Sequence, residues 1–67
     1  MNPLKQMRKA RNLTEQDVAL HLGLPGRCIR MFEDGHPMLN ADAIKKITQL
    51  YKVSVTELSK AFNQVKI

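Results

Sequence analysis

Apolar residues recur three or four positions apart in short bursts along the chain, and turn-forming residues separate the bursts. That period places them on one face of successive helices. Asn2 followed by Pro3 predicts an N-cap with proline at the first helical position, where its missing N–H costs nothing. Leu4 and Met7 then share a face with Arg8 and Arg11, and this helix is expected to end near Arg11 or Asn12. Thr14-Glu15-Gln16-Asp17 reads as a capping box with Asp in the reciprocal position usually held by Glu or Gln. The second helix it opens turns Val18, Ala19 and Leu22 inward and stops at Gly23, which suits a left-handed residue.

Leu24 and Pro25 make the next connection, and a third helix is expected from about Gly26 to Asp34, closing at Gly35. Its inward residues are Ile29 and Phe32. At the helical angular step, Arg27, Arg30 and Met31 project to the opposite side. Such a face is exposed only if Ile29 and Phe32 hold the helix down from behind. Asn40 caps a fourth helix with the stripe Ile44, Ile47, Leu50 and Tyr51, and Lys52 at its end favours the helix dipole. Ser54-Val55-Thr56-Glu57 is a second capping box, opening a fifth helix that carries Val55, Leu58 and Phe62 inward. The tail, residues 63–67, alternates at Val65 and Ile67 in a way that also permits a short strand.

The pattern predicts an all-α, five-helix domain spanning residues 1–67, with its core in about 3–62. A chain of 67 residues has no room for a second sensing or catalytic domain. Its 43% hydrophobic content argues against disorder. No apolar run approaches a membrane span, and Lys5, Arg8 and Lys9 interrupt any secretory core region, so a cytoplasmic protein is expected. Cys28 reads as a reduced, partly buried thiol. With His21 and His36 it gives none of the paired spacings of a zinc site, so neither metal nor cofactor is expected. The chain also lacks a glycine-rich phosphate loop, a nucleophile elbow and the volume for a substrate pocket, which argues against an enzyme. The net charge of +5 and pI near 9.8 instead suit a polyanionic partner, whose condensed counterions lysine and arginine displace.

Between the second and third helices the turn Gly23-Leu24-Pro25 is short and contains glycine, as a helix-turn-helix requires. With Arg8, Leu13-Thr14, Val18-Ala19, Leu22-Gly23-Leu24, Ile29, Glu33-Asp34-Gly35, Ile44, Ile47, Tyr51, Val53-Ser54 and Leu58 in place, the chain resembles the phage-repressor and Cro-like (XRE-type) helix-turn-helix family. The resemblance covers about residues 4 to 60. It implies that Ala19 is small so the second and third helices approach closely, and that Gly23 takes positive φ. It implies too that Arg8 pairs with Glu33. Carried onto this sequence, the positions that face bases in the major groove are Gly26, Arg27, Arg30 and Met31. A guanidinium can bond bidentately to guanine O6 and N7, and Met31 can touch a thymine methyl; the alternative for the arginines is a solvated helix face. Arginines tucked against carboxylates, or this face covered by another segment, would remove the reading.

Three positions depart from the family pattern. Glu15 stands where a phosphate-touching Gln is common, and a like charge there is expected to repel. Pro25 replaces the usual Ser or Thr cap, and Lys52 replaces a glycine. Backbone N–H groups at the start of the fourth helix, from Asn40 to Asp42, are a candidate phosphate site that Asp42 opposes. Lys5, Lys9 and Arg11 add long-range attraction or are simply solvated. The expected function is therefore a sequence-specific regulator of transcription, a repressor bound as a homodimer to double-stranded DNA at a two-fold symmetric operator. The alternative is a protein-binding module on the same fold: an antirepressor, a modulator of another repressor, or an antitoxin with a heterologous partner. Its motivation is Glu15 and Pro25 together with outward Leu20, Met31 and Met38.

Overall fold

A computed structural model describes residues 2–67. Its five helices are α1 (Pro3–Lys9), α2 (Glu15–Leu22), α3 (Gly26–Glu33), α4 (Ala41–Tyr51) and α5 (Val55–Val65). No described residue is in a strand.

Helix starts are set by local side-chain chemistry. Asn2 accepts from the Leu4 and Lys5 N–H groups at 3.0 and 3.1 Å, with Pro3 beside it. Thr14 and Asp17 exchange bonds of 2.9 and 3.0 Å, closing the first capping box. The Thr14 backbone N–H, and then its hydroxyl, hold the Asp17 carboxyl below the usual carboxylate range. Asn40 accepts from the Ala43 N–H at 2.8 Å, and Ser54 accepts from that of Glu57 at 3.0 Å. At the start of α3, Pro25 offers no side-chain cap.

Helix ends depend more on tertiary partners. The first helix stops at Lys9, short of Arg11 or Asn12. Asn12 takes a left-handed φ of 57°, which turns the Leu13 N–H back to the Arg8 carbonyl at 3.3 Å. Arg11 leaves the helix to donate to the Tyr51 carbonyl at 2.6 Å and the Met7 carbonyl at 2.9 Å. Its guanidinium also lies over the Tyr51 ring, 5.7 Å from the centroid. Arg11 is thus bound to the fold through two carbonyls, although it remains exposed and keeps its charge. Asp34 caps α3, one residue earlier than the expected end, and Lys52 ends α4 at a left-handed φ of 57°.

The fifth helix runs on to Val65, which corrects the strand option for the tail. Beyond it the Ile67 N–H donates to the Gly35 carbonyl at 3.1 Å. Gly35 has φ 101° and is buried there, and a Cβ on it would strike the Val65 carbonyl oxygen and come within 2.9 Å of the Lys66 Cα. Leu58 and Ala61 form the buried stripe of α5, with Phe62 half-buried alongside. Val55 is exposed, contrary to the inward expectation, because it opens the helix a turn before the packed stripe begins.

Leu4, Val18, Ile29, Ile47 and Leu58, one from each helix, are almost wholly buried and define a single core. Phe32 and Phe62 stack with centroids 5.1 Å apart and planes 13° from parallel, joining α3 to α5. Ala19 is completely buried on α2. A methyl group there lets α2 and α3 pack together, the most extensive helix pairing in the molecule.

Candidate nucleic-acid interface

Behind α3 lies a buried ion pair. The Arg8 Nε donates to the Glu33 Oε2 at 2.8 Å and its Nη2 to Oε1 at 3.2 Å, while Nη1 donates to the Leu13 carbonyl at 3.0 Å. Side-chain exposure is only 8% for Arg8 and 2% for Glu33. The hydrogen bond to Glu33 outweighs desolvation and raises the Arg8 pKa, so the cation is fixed. Asn2 adds a 2.8 Å bond from its side-chain nitrogen to the Glu33 carbonyl. Ile29 and Phe32 fill the same inner side of α3. The helix is therefore anchored along its back by an apolar pair and, at its C-terminal end, by a charged one.

That anchoring leaves the outer face to Arg27, Arg30 and Met31, all exposed. A polar cleft opens between the starts of α2 and α3, lined by Thr14, Glu15, Gln16, Gly26, Arg27 and Arg30. Short α2, the αL turn at Gly23 and Pro25 bring these two helix starts together. Met31 lies further along the same helix and does not line the cleft. Asn40 is not in it either: its side-chain oxygen is committed to the cap of α4, and Asp42 behind it meets Lys46 at 3.3 Å.

Two expectations about this surface change. Arg30 is not wholly solvated, because its Nε and Nη2 both reach Glu15 Oε1 at 3.4 Å. The contact is long and open, with side-chain exposure of 69% for Arg30 and 26% for Glu15, so Arg30 leans on the carboxylate without being tucked away. Glu15 correspondingly has a cationic neighbour in Arg30. No acidic partner is recorded within ion-pair distance of Arg27 among the described residues. Neither arginine is covered by another segment among the described residues.

Gln16 is a residue that sequence reasoning missed. Gly26 carries no side chain into the cleft, and Gln16 fills the space beside it: a Cβ on Gly26 would lie 2.8 Å from the Gln16 Oε1. The amide of α2 thus stands where a side chain on the first residue of α3 would begin. Only the combination of a glycine at that place and a long polar residue in the first turn of the preceding helix signals this, and it requires the crossing geometry to be known.

A family model described as Helix-turn-helix matches residues 4–58. Comparison with curated proteins and with solved structures found no match. The matched span runs from the first core residue of α1 to the buried Leu58 of α5, and includes both cleft helices and the Arg8–Glu33 anchor. No helix among the described residues is long and apolar enough to cross a membrane. An exposed arginine face on a pinned third helix, a glycine-bearing turn before it and this match across most of the chain lead to one conclusion: the chain belongs to the phage-repressor and Cro-like, XRE-type, helix-turn-helix family of DNA-binding regulators.

Proposed function

We propose that this protein is a transcriptional repressor that binds a two-fold symmetric operator as a homodimer, with α3 in the major groove and its action in the cytoplasm. The observation that carries the reading is the division of α3 into a buried side, Ile29, Phe32 and Glu33, and an exposed side, Arg27, Arg30 and Met31. In this pose the two guanidiniums meet base edges or phosphates, Met31 offers an apolar contact, and Gly26 lies at the helix start with the Gln16 amide in the space a Cβ would take. Glu15 and Gln16 border the contact from α2, and Asn40 presents the start of α4 to the flanking backbone. One such helix reads only a few base pairs, so specificity comes from two half-sites about one helical turn apart. Occupying a promoter in this way competes sterically with polymerase.

A gel-shift titration against salt tests the reading. Affinity is expected to fall steeply as salt rises, and selection from randomised duplex is expected to return paired half-sites. Absence of binding at low salt, or an affinity indifferent to salt, would rule it out.

A protein-binding module on the same fold is the second reading. It is favoured by Leu20, which points away from the core of α2 and is 76% exposed. Purification with a stoichiometric heterologous partner covering α3, and loss of that partner on Leu20→Lys, would support it.

A further inference from the structure

The Glu15–Arg30 contact is side-on. One carboxylate oxygen receives both the Nε and the Nη2 hydrogens of Arg30, the side edge of the guanidinium. No other described residue accepts from Arg30. The hydrogens at the tip, on Nη1 and the outer side of Nη2, stay available as a parallel fork. That fork matches the O6 and N7 acceptors of guanine in the major groove. Glu15 is the less exposed partner, at 26%, and it sits at the first position of α2, held there by the Thr14–Asp17 capping box. It is the fixed member of the pair, and Arg30 is the long side chain that it orients.

We propose that Glu15 is a positioning residue that buttresses Arg30 for guanine, so that the acidic departure at the start of α2 sets base preference at one operator position. The inference rests on the DNA-binding reading above and deepens it. A flexible arginine loses rotamer freedom on binding, and a side chain already held from its edge loses less. The same carboxylate repels nearby phosphates whatever their sequence. Glu15 therefore acts in two opposite ways: it lowers general affinity for duplex and sharpens discrimination at the position Arg30 reads. A merely structural residue, or a merely repulsive one, moves only one of these quantities.

The test uses the duplex that the wild-type protein selects from a randomised pool, together with every single-base replacement of it and an unrelated duplex. Arg30→Ala is expected to abolish preference for guanine at one position in each half-site, a loss of about tenfold or more for a bidentate contact. Glu15→Ala is expected to reduce preference at that same position by at least about threefold while binding the unrelated duplex more tightly. Glu15→Gln keeps an acceptor oxygen without the charge, so it should recover most of the preference and retain the gain in general affinity. Thermal unfolding of each variant, expected to match the wild type closely for so exposed a pair, separates these effects from misfolding. Preference unchanged in Glu15→Ala, or no position whose guanine preference depends on Arg30, would overturn the buttress while leaving DNA binding intact. Failure of the wild type to bind any duplex in a salt-dependent way would overturn the DNA-binding reading and the buttress with it.

Discussion

Among the described residues, two arginine–glutamate pairs involve α3, and they differ in nearly every physical respect. Arg8 and Glu33 meet at 2.8 Å on the inner side, with both side chains almost sealed from water. Arg30 and Glu15 meet at 3.4 Å on the outer side, with the arginine 69% exposed. Burial decides what each pair can do. Inside, removing water makes each charge dependent on the other, and breaking the pair strands a desolvated ion. Outside, solvent screens the attraction, so the contact is worth about 0–1 kcal/mol and leaves the tip of the guanidinium free. The inner pair fixes where α3 lies. The outer pair leaves one edge of α3's chemistry open to a ligand.

Breaking the inner pair is the strongest test of that contrast. Glu33→Ala or Arg8→Ala is expected to lower stability by about 3–5 kcal/mol in urea unfolding, since one buried charge loses its partner. A change under about 1 kcal/mol would place the pair with surface bridges. Arg27→Ala addresses the outer face: specific DNA binding is expected to weaken by about 1–3 kcal/mol if the side chain grips a base, with unfolding nearly unaffected. Equal affinity and equal base preference in a quantitative gel shift would assign Arg27 to the solvated face.

Tyr51 sharpens the comparison through pH. Burial, and then the Glu33 carboxylate, push its phenol above the ordinary tyrosine range, with Arg8 and Arg11 opposing. The folded protein holds this proton at a pH where the unfolded chain releases it. The stabilisation is therefore fully present below about pH 10 and is lost as pH rises beyond it. Because Tyr51 is the sole tyrosine and there is no tryptophan, ultraviolet absorbance follows its ionisation directly. Ionisation is expected to coincide with alkaline unfolding, and a normal tyrosine titration in the folded protein would contradict the buried setting. Glu33→Gln should bring the ionisation to lower pH, whereas Glu15→Gln on the outer face should not move it. The smallest effect lies away from both pairs: Lys52→Gly should stabilise the protein by about 0.5–1 kcal/mol in thermal unfolding, because Lys52 holds a left-handed φ of 57° that glycine adopts without steric cost.

Sequence patterning located all five helices: four starts are encoded in a capping side chain, and that of α3 in the Gly23-Leu24-Pro25 turn before it. Asn2, Thr14, Asn40 and Ser54 each satisfy backbone N–H groups two or three positions ahead, and apolar spacing then chooses the face that turns inward. Ends were harder to read. The early stop of α1 goes with Arg8 serving both Glu33 and Leu13, and with Arg11 bonding a carbonyl forty positions away in the chain. Val55 shows the limit of periodicity from the other direction: its register is apolar, yet it stays exposed while Leu58, three residues on, is buried.

The outward arginines of α3 follow from the position of Ile29 and Phe32 in the linear order of residues, since helical geometry alone sends Arg27 and Arg30 to the other side. The partner of Arg30 does not. Glu15 lies in a different helix, and only the angle at which α2 crosses α3, allowed by a buried Ala19 and a left-handed Gly23, brings the carboxylate within reach of the guanidinium. Gln16 beside Gly26 and the Ile67 amide on Gly35 belong to the same class. Local order determined which helices form, how they begin and which side of each is apolar, because those energies act within one or two turns. Tertiary structure alone decided which charges meet and which remain available, because an ion pair between helices depends on distances that no short stretch of chain contains.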